Sequence, residues 1–339
     1  MTGVKKFKKL GILLLMLIFS LTFLAGCGND KTAGSNQKHV LKVGHPLAAD
    51  HPWTVCLEGM AKDVKEATNG EVEIQVFPSS QLGSELDVAN GLKMGTIEMG
   101  LFGTASLNPL DKRMAIEELP YAWPKRENAY AALDGELGEA LNKIMEKQGI
   151  IGLSWWEAGY RQTTNSKKPI NSVEDFRGLK IRVPNNDMRI DTFKLLGAEP
   201  TPISFAEVFT ALQQGAVDGQ ENPLITIQSS KLYEVQKYLT LTNHIWGSGY
   251  LAISKQAWDE LSPEQQKIVK EKAQIWRDKE RQMIKDGEAK SVDELKKSGM
   301  QVTEPNFQEF KDAEKPVWDK YEAIFGKDLM DLVKKYSSK

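Results

Sequence analysis

Apolar and polar positions along the chain fall into two alternating kinds of segment. Short apolar runs suited to strands occur at Val40–Val43, Val72–Phe77, Ile97–Phe102, Ile150–Trp156, Leu179–Val183, Ala216–Gln220, Tyr238–Leu241 and Tyr250–Ser254. Between them, Trp53–Thr68, Ser84–Met94, Glu127–Gln148, Met188–Leu196 and Phe205–Gln214 carry apolar residues three and four apart, as a helix covering a sheet requires. Alternation of this kind predicts an α/β protein with largely parallel sheets.

The two halves of the pattern look alike. Setting Gly95 against Gly215 also pairs Val88 with Val208, Leu92 with Leu212, Ile97 with Val217 and Glu98 with Asp218. Each half then reads as a helix, a glycine stop, a strand and an acid, and the glycine suits the left-handed residue that closes a helix. The repeat predicts two similar lobes facing each other. A long charged stretch follows, Pro263–Lys297, with Ile268, Val269, Ala273, Ile275, Trp276, Met283 and Ile284 mostly at helical spacing. As one helix it would reach about 50 Å, enough to run across both lobes. Acids and bases mixed over its faces argue against a membrane-binding helix.

The amino terminus departs from this pattern. Lys5, Lys6, Lys8 and Lys9 precede an apolar run from Leu10 to Ala25, the layout of an export signal. At about 16 residues the run is short of the roughly 20 that a membrane span needs. It ends in Leu24-Ala25-Gly26-Cys27, which resembles the lipobox of bacterial lipoproteins and implies cleavage before Cys27 and a lipid on that cysteine. Residues 28–38 hold no aliphatic side chain larger than alanine and read as a flexible tether.

Composition narrows the function. The chain has 339 residues, a net charge of −2, 41% apolar and 27% charged residues and two cysteines. This is enough for about two domains and excludes both a disordered tail protein and a disulfide scaffold. Lys plus Arg (44) against Asp plus Glu (46) leaves no basic excess for a phosphate backbone, so nucleic acid is not an expected partner. With Cys27 lipidated, Cys56 has no disulfide partner and reads as a small buried apolar residue. The sequence contains no Gly-x-Ser-x-Gly, no His-Glu-x-x-His and no Gly-x-x-x-x-Gly-Lys-Ser/Thr. His39, His45, His51 and His244 show no tight metal-ligand spacing, so neither a metal nor another cofactor is expected; one or two of them are better read as lining a cleft.

The informative charge is Arg182. In Leu179-Lys180-Ile181-Arg182-Val183-Pro184 it points opposite to Ile181 at the carboxyl end of a strand, where ligands bind in open α/β sheets. A guanidinium there offers a planar fork for a carboxylate. By itself this is as consistent with an ordinary surface arginine.

Six stretches, in order, resemble the solute-binding subunits of tripartite ATP-independent periplasmic (TRAP) transporters, the DctP-type receptors. They are Phe77-Pro78-Ser79-Ser80-Gln81-Leu82-Gly83, Gly159-Tyr160-Arg161-Gln162-Thr163-Thr164-Asn165, Phe176–Pro184, Ala216–Pro223, Leu241-Thr242-Asn243-His244 and Leu261-Ser262-Pro263-Glu264. The resemblance implies a two-lobed clamp like that of periplasmic binding proteins, with hinge strands and a long helix spanning both lobes. It implies lobe 1 at 39–160 with about 247–280, lobe 2 at 161–246 with about 285–305, and C-terminal helices at 306–339 packing on them. It further implies that Arg182 grips the ligand carboxylate, that Arg161 touches the ligand, that Asn222 donates an amide near the carboxylate and that Phe205 packs on the ligand body. The internal repeat makes Glu85 the first-lobe counterpart of Phe205 and a hydroxyl acceptor.

Sialic acid binders of the family carry charged groups just after the third strand, where this chain has Gly103-Thr104-Ala105-Ser106-Leu107, so N-acetylneuraminate is disfavoured. His45, Glu85, Trp155, Trp156, Trp246 and Tyr250 are candidates to line a pocket for a sugar acid, aromatic faces meeting carbons and polar edges meeting hydroxyls. A C4-dicarboxylate would place its second charge on Arg161 or Lys180. The expected function is therefore capture of a small carboxylate for TRAP membrane subunits by a monomeric, lipid-anchored extracytoplasmic receptor. The alternatives are a uronate-processing enzyme using His45 or His244 as base, and an ABC-type or sensory binding protein.

Overall fold

The computed structural model describes residues 38–337. The export signal, the lipobox cysteine and the tether up to residue 37 lie outside the described residues. The described chain opens with β1 (His39–Gly44), α1 (Pro52–Ala67), β2 (Val72–Phe77), α2 (Glu85–Met94) and β3 (Met99–Gly103), a β-α-β-α-β unit in which β2 and β3 flank β1 in parallel. Helices α3 (Arg126–Leu133) and α4 (Glu136–Glu146) and the long strand β4 (Ile150–Asn165) follow. The first unit then recurs as β5 (Lys180–Val183), α5 (Asp187–Leu195), β6 (Glu199–Pro202), α6 (Val208–Gln213) and β7 (Gly219–Pro223), with β6 and β7 flanking β5. After α7 (Leu224–Ser229) come β8 (Tyr238–Thr240), β9 (Trp246–Ser254), α8 (Lys255–Glu260), α9 (Pro263–Lys297), β10 (Gln301–Thr303), α10 (Phe307–Phe325) and α11 (Lys327–Ser337).

The repeat extends to detail. Gly95 and Gly215 both close a helix with positive φ, +72° and +69°. The paired acids do the same work: Glu98 Oε2 accepts from the amide of Lys42 in β1 at 3.0 Å, and Asp218 Oδ2 from that of Lys180 in β5 at 2.9 Å. Each acid ties the start of the third strand of its unit to the first.

One strand joins the two lobes. In the order β2-β1-β3-β9-β4-β7-β5-β6, residues Ile150–Tyr160 of β4 pair with β9 while Arg161–Asn165 pair with β7 and β8. The apolar run predicted the strand only to Trp156. Its continuation, Glu157 to Asn165, is polar yet almost wholly buried, because neighbours from both lobes cover it. The register on β9 slips between Glu157 and Gly159, a bulge that bends β4 where it leaves the first lobe.

Helix α9 forms over the whole charged stretch. Ser262 accepts from the amide of Gln265 while Gln265 returns a bond to the amide of Ser262, and Pro263 occupies the first turn, where its missing N–H costs nothing. The helix packs on α1 and β4 at one end and on α7 and β10 towards the other. Helix α10 rests on α5, and α11 on α3 and α4.

One expectation is corrected, and two strands escaped the sequence pattern. Glu127–Gln148 is two helices: Asp134 caps the first, its carboxylate drawn to Arg277 and Arg281 of α9 at 2.6–3.1 Å, and Gly135 starts the second. Strand β6, Glu-Pro-Thr-Pro, was hidden by its prolines, which an edge strand tolerates because one side of its ladder is free. Strand β10 is three residues long, too short to show a period. Cys56 is buried on α1, and burial pushes its thiol up to about 12. Among the described residues no helix is long and apolar enough to cross a membrane.

Candidate functional site

A cleft of about 60 Å³ lies between the two lobes, and a further space of about 280 Å³ adjoins it at Glu85, Ser106, Arg182, Pro184 and Phe205. Its second-lobe wall is set by β5. There Arg182 is only 2% exposed. Its Nε donates to Ile203 O at 2.8 Å, and its guanidinium stands 5.9 Å from the centre of the Phe205 ring. It makes no ion pair among the described residues. Burial, with Arg161 adding repulsion, brings its pKa down to about 10, which leaves it charged at neutral pH.

Arg161, at the point where β4 enters the second lobe, is tied down on three sides. Its Nε meets Glu221 Oε2, and Nη2 donates to Glu221 O at 2.7 Å and to Asn222 Oδ1 at 3.0 Å. Asn222 in turn donates its amide to Gln220 Oε1, so as folded it holds Arg161 in place. Glu221 is fully buried and also accepts from Arg189 Nη1 at 2.6 Å, with His244 Nε2 at 3.2 Å. Burial alone would raise its carboxyl, but Arg161 and Arg189 hold it well below the usual carboxylate range.

The first-lobe wall is acidic. Glu85, in the first turn of α2, accepts from the amide of Gly103 at 3.0 Å and from Ser106 Oγ at 2.7 Å, and desolvation raises its carboxyl against those bonds. Glu118, closing the 3-10 turn Lys112–Glu118, stands with Oε1 2.9 Å from Arg189 Nη2, across from the second lobe. Its neighbour Glu117 turns the other way, towards Thr104 and towards Ser248 Oγ at 2.8 Å; burial and the nearness of Glu118 push it well above the carboxylate range.

Of the residues singled out in the sequence, Arg182, Arg161, Asn222, Phe205 and Glu85 line this cleft together. His45 and Trp246 do not. His45 turns inward, Nδ1 accepting from the amide of Leu47 at 3.3 Å and Nε2 lying 3.3 Å from Thr54 Oγ1; burial lowers it to about 4. Its neighbours Pro46 and Leu47 face the cleft instead. Trp246 donates from Nε1 to Glu157 Oε1 at 2.7 Å, beside the β4 bulge. Trp155, Trp156 and Tyr250 belong to the core, with the Trp155 and Tyr250 rings 4.5 Å apart. The tryptophan in the cleft is Trp53, anchored by a 2.7 Å bond from Nε1 to Glu157 O. Sequence reasoning passed over it, and over Glu118, because nothing local separates a cleft-facing aromatic or acid from a core or surface one. Lys180 is exposed at the far end of β5. Among the described residues no group of three or more His, Cys, Asp or Glu side chains is placed to hold a metal.

Two α/β lobes joined by a bent strand and a long helix, with a buried cation in the cleft between them, define a clamp-type solute-binding protein. Residues 43–324 match the bacterial extracellular solute-binding proteins of family 7 (DctP), and the chain belongs to that family. It is similar to the 2,3-diketo-L-gulonate-binding periplasmic protein YiaO of Escherichia coli K12, 33% identical over 292 residues that cover 86% of this chain and 89% of the relative. The sugar acid binding protein DctPAm of Advenella mimigardefordensis, solved with galactonate, superposes with a TM-score of 0.87 at 32% identity, covering 89% of this chain and 98% of that one. A TRAP periplasmic solute binding protein from Sulfitobacter sp. NAS-14.1, solved with β-D-galacturonate, gives 0.84 at 34% identity, covering 88% and 100%.

Proposed function

We propose that this protein is an extracytoplasmic receptor that binds a small organic carboxylate in the interlobe cleft and delivers it to the membrane subunits of a TRAP-type secondary transporter. The observation that carries the reading is Arg182, a buried arginine with no ion pair among the described residues, lining the cleft between the lobes. A buried charge is costly until it is paired, and a ligand carboxylate supplies the missing partner with the bidentate geometry that arginine favours. Arg161 and Asn222 flank that carboxylate, Phe205 covers the ligand body, and Glu85 receives a hydroxyl. The relatives bind 2,3-diketo-L-gulonate, galactonate and β-D-galacturonate, which supports a sugar acid; a C4-dicarboxylate remains the second class to test.

In this reading residues 39–160 with about 247–280 form lobe 1 and 161–246 with about 285–305 form lobe 2, with 306–339 packed on both. The open cleft exposes Arg182, the carboxylate binds the second lobe, and contacts from the first lobe favour closure. The closed form then presents a different surface to the permease. A lipid on Cys27 holds the receptor, a monomer, at the membrane and raises its concentration beside its partner. An enzyme acting on a bound uronate needs a base at the ligand, and neither His45 nor His244 lines the cleft.

Thermal unfolding of the purified protein against aldonates, uronates, keto acids and C4-dicarboxylates tests the reading. A ligand at 100 times its dissociation constant adds about 2.7 kcal/mol. The shift is expected for one class and to vanish in Arg182→Ala. No shift with any carboxylate overturns the assignment, and recovery of chemically altered ligand overturns the receptor role.

A further inference from the structure

The two walls of the cleft differ in sign. Arg182 and Arg161 stand on the second-lobe side, whereas the charged residues that the first lobe contributes to the cleft and its adjoining space are both acids, Glu85 and Glu118. Glu85 has both carboxylate oxygens engaged, by Gly103 and Ser106. Glu118 does not: Oε1 lies beside Arg189, and Oε2 is buried without a hydrogen-bond partner, although the residue lines the cleft and is 2% exposed. A buried carboxylate oxygen left without a donor is a poor end state for a fold, since polar atoms removed from water are nearly always bonded.

We propose that Glu118 Oε2 accepts a hydroxyl of the ligand, and that Glu118 and Glu85 together make the cleft select polyhydroxy monocarboxylates and reject dicarboxylates. This rests on the carboxylate reading above and narrows it. A ligand whose carboxylate sits on Arg182 must turn its far end towards the acidic wall. There a hydroxyl donates a charge-assisted hydrogen bond, while a second carboxylate has no proton to give and meets two like charges in a desolvated space. Arg189, in α5 of the second lobe, orients Glu118 from across the cleft through the 2.9 Å contact and is itself fixed by Glu221 at 2.6 Å. The acceptor is therefore set in position only when the lobes are together, so hydroxyls are read in the closed state.

The test compares dissociation constants, by calorimetry on the purified wild-type protein, for galactonate, gulonate, galacturonate and erythronate with those for succinate, adipate, hexanoate and 6-aminohexanoate. The tightest sugar acid is expected to exceed both dicarboxylates by at least about 100-fold, since a site built to bond a hydroxyl strongly rejects analogues lacking it. Glu118→Gln is expected to weaken that sugar acid by about 10- to 100-fold more than it weakens hexanoate, the difference being one charge-assisted bond. The wild-type series stands even if the variant fails to fold. Succinate or adipate binding as tightly as the sugar acids overturns the proposal but leaves the carboxylate receptor intact. Tighter binding of 6-aminohexanoate, or a folded Glu118→Gln with unchanged sugar-acid affinity, also overturns it. If no carboxylate binds the wild type, the receptor reading falls as well.

Discussion

Arg182 shows how function and stability oppose each other at a single residue. Its Nε is satisfied by Ile203 O, and the rest of the guanidinium has no acid in contact among the described residues. Glu221, whose charge favours that of Arg182 from a distance, is already committed to Arg161 and Arg189. Removing a buried unpaired charge relieves desolvation, and residues kept for binding commonly cost stability. Arg182→Ala without ligand is therefore expected to unfold at or above the wild-type midpoint in urea, even though it loses ligand-induced stabilisation. A loss of about 3–5 kcal/mol, the size expected for breaking a structural buried pair, would show that Arg182 holds the fold together. Pro184 and the alternation around it fix which way the arginine points, but only the resemblance to the TRAP receptors set it apart from an ordinary surface arginine in the sequence. Its isolation was not legible there, because that depends on where Glu221 and Glu85 arrive from other strands.

Helix α1 carries part of the acid sensitivity of the first lobe, beside the buried His45. Its cap is His51, whose Nδ1 accepts from the amide of Trp53 at 3.1 Å while Nε2 is buried without a partner. Burial first, and then His45, lowers His51 from 6.5 to about 3. The folded state thus binds this proton more weakly than the unfolded chain. The stabilisation is fully present above pH 6.5 and is lost as pH falls from there towards 3. One such ring costs on the order of 2 kcal/mol between pH 7 and pH 5. Asparagine caps helices as well and does not titrate. His51→Asn is expected to make the decline in urea stability between pH 7 and pH 5 shallower by on the order of 2 kcal/mol, whatever its stability at pH 7, with the remainder due to groups such as His45; an unchanged decline assigns the sensitivity elsewhere.

Over the whole molecule, the bend in β4 governs how the lobes meet. Gly159 sits in the bulge at φ +112°, and a Cβ there would lie 2.4 Å from Glu288 Oε1 and 3.3 Å from Pro223 Cβ. Glu288 of the long helix accepts from the amide of Tyr160 at 3.2 Å and from Arg126, which also reaches Glu157 Oε1 at 3.0 Å. The bend is thus fastened to α9 by side chains that do not line the cleft. Gly159→Ala is expected to cost about 1–3 kcal/mol in unfolding, from a strained backbone and a displaced glutamate. Carboxylate affinity is expected to fall with it, and ligand-induced compaction in small-angle scattering to shrink. Full compaction and unaltered affinity in the variant would uncouple the bulge from closure.

Local order fixed much of this protein in advance. The helical period of Pro263–Lys297, with Ser262 and Gln265 at its start, set the bounds of α9, since caps and amphipathic faces depend on residues within a turn or two. The spacing around Gly95 and Gly215 fixed the repeat for the same reason. Tertiary structure decided which side chains meet. The polar half of β4 became a buried strand because two lobes cover it, Trp53 replaced Trp246 in the cleft, and His45 gave way to Pro46 and Leu47. Glu118 acquired meaning when Arg189 reached it from another lobe. Periodicity reports the face a residue presents within its own element; what covers that face is settled by segments far away in the chain, whose approach no local pattern encodes.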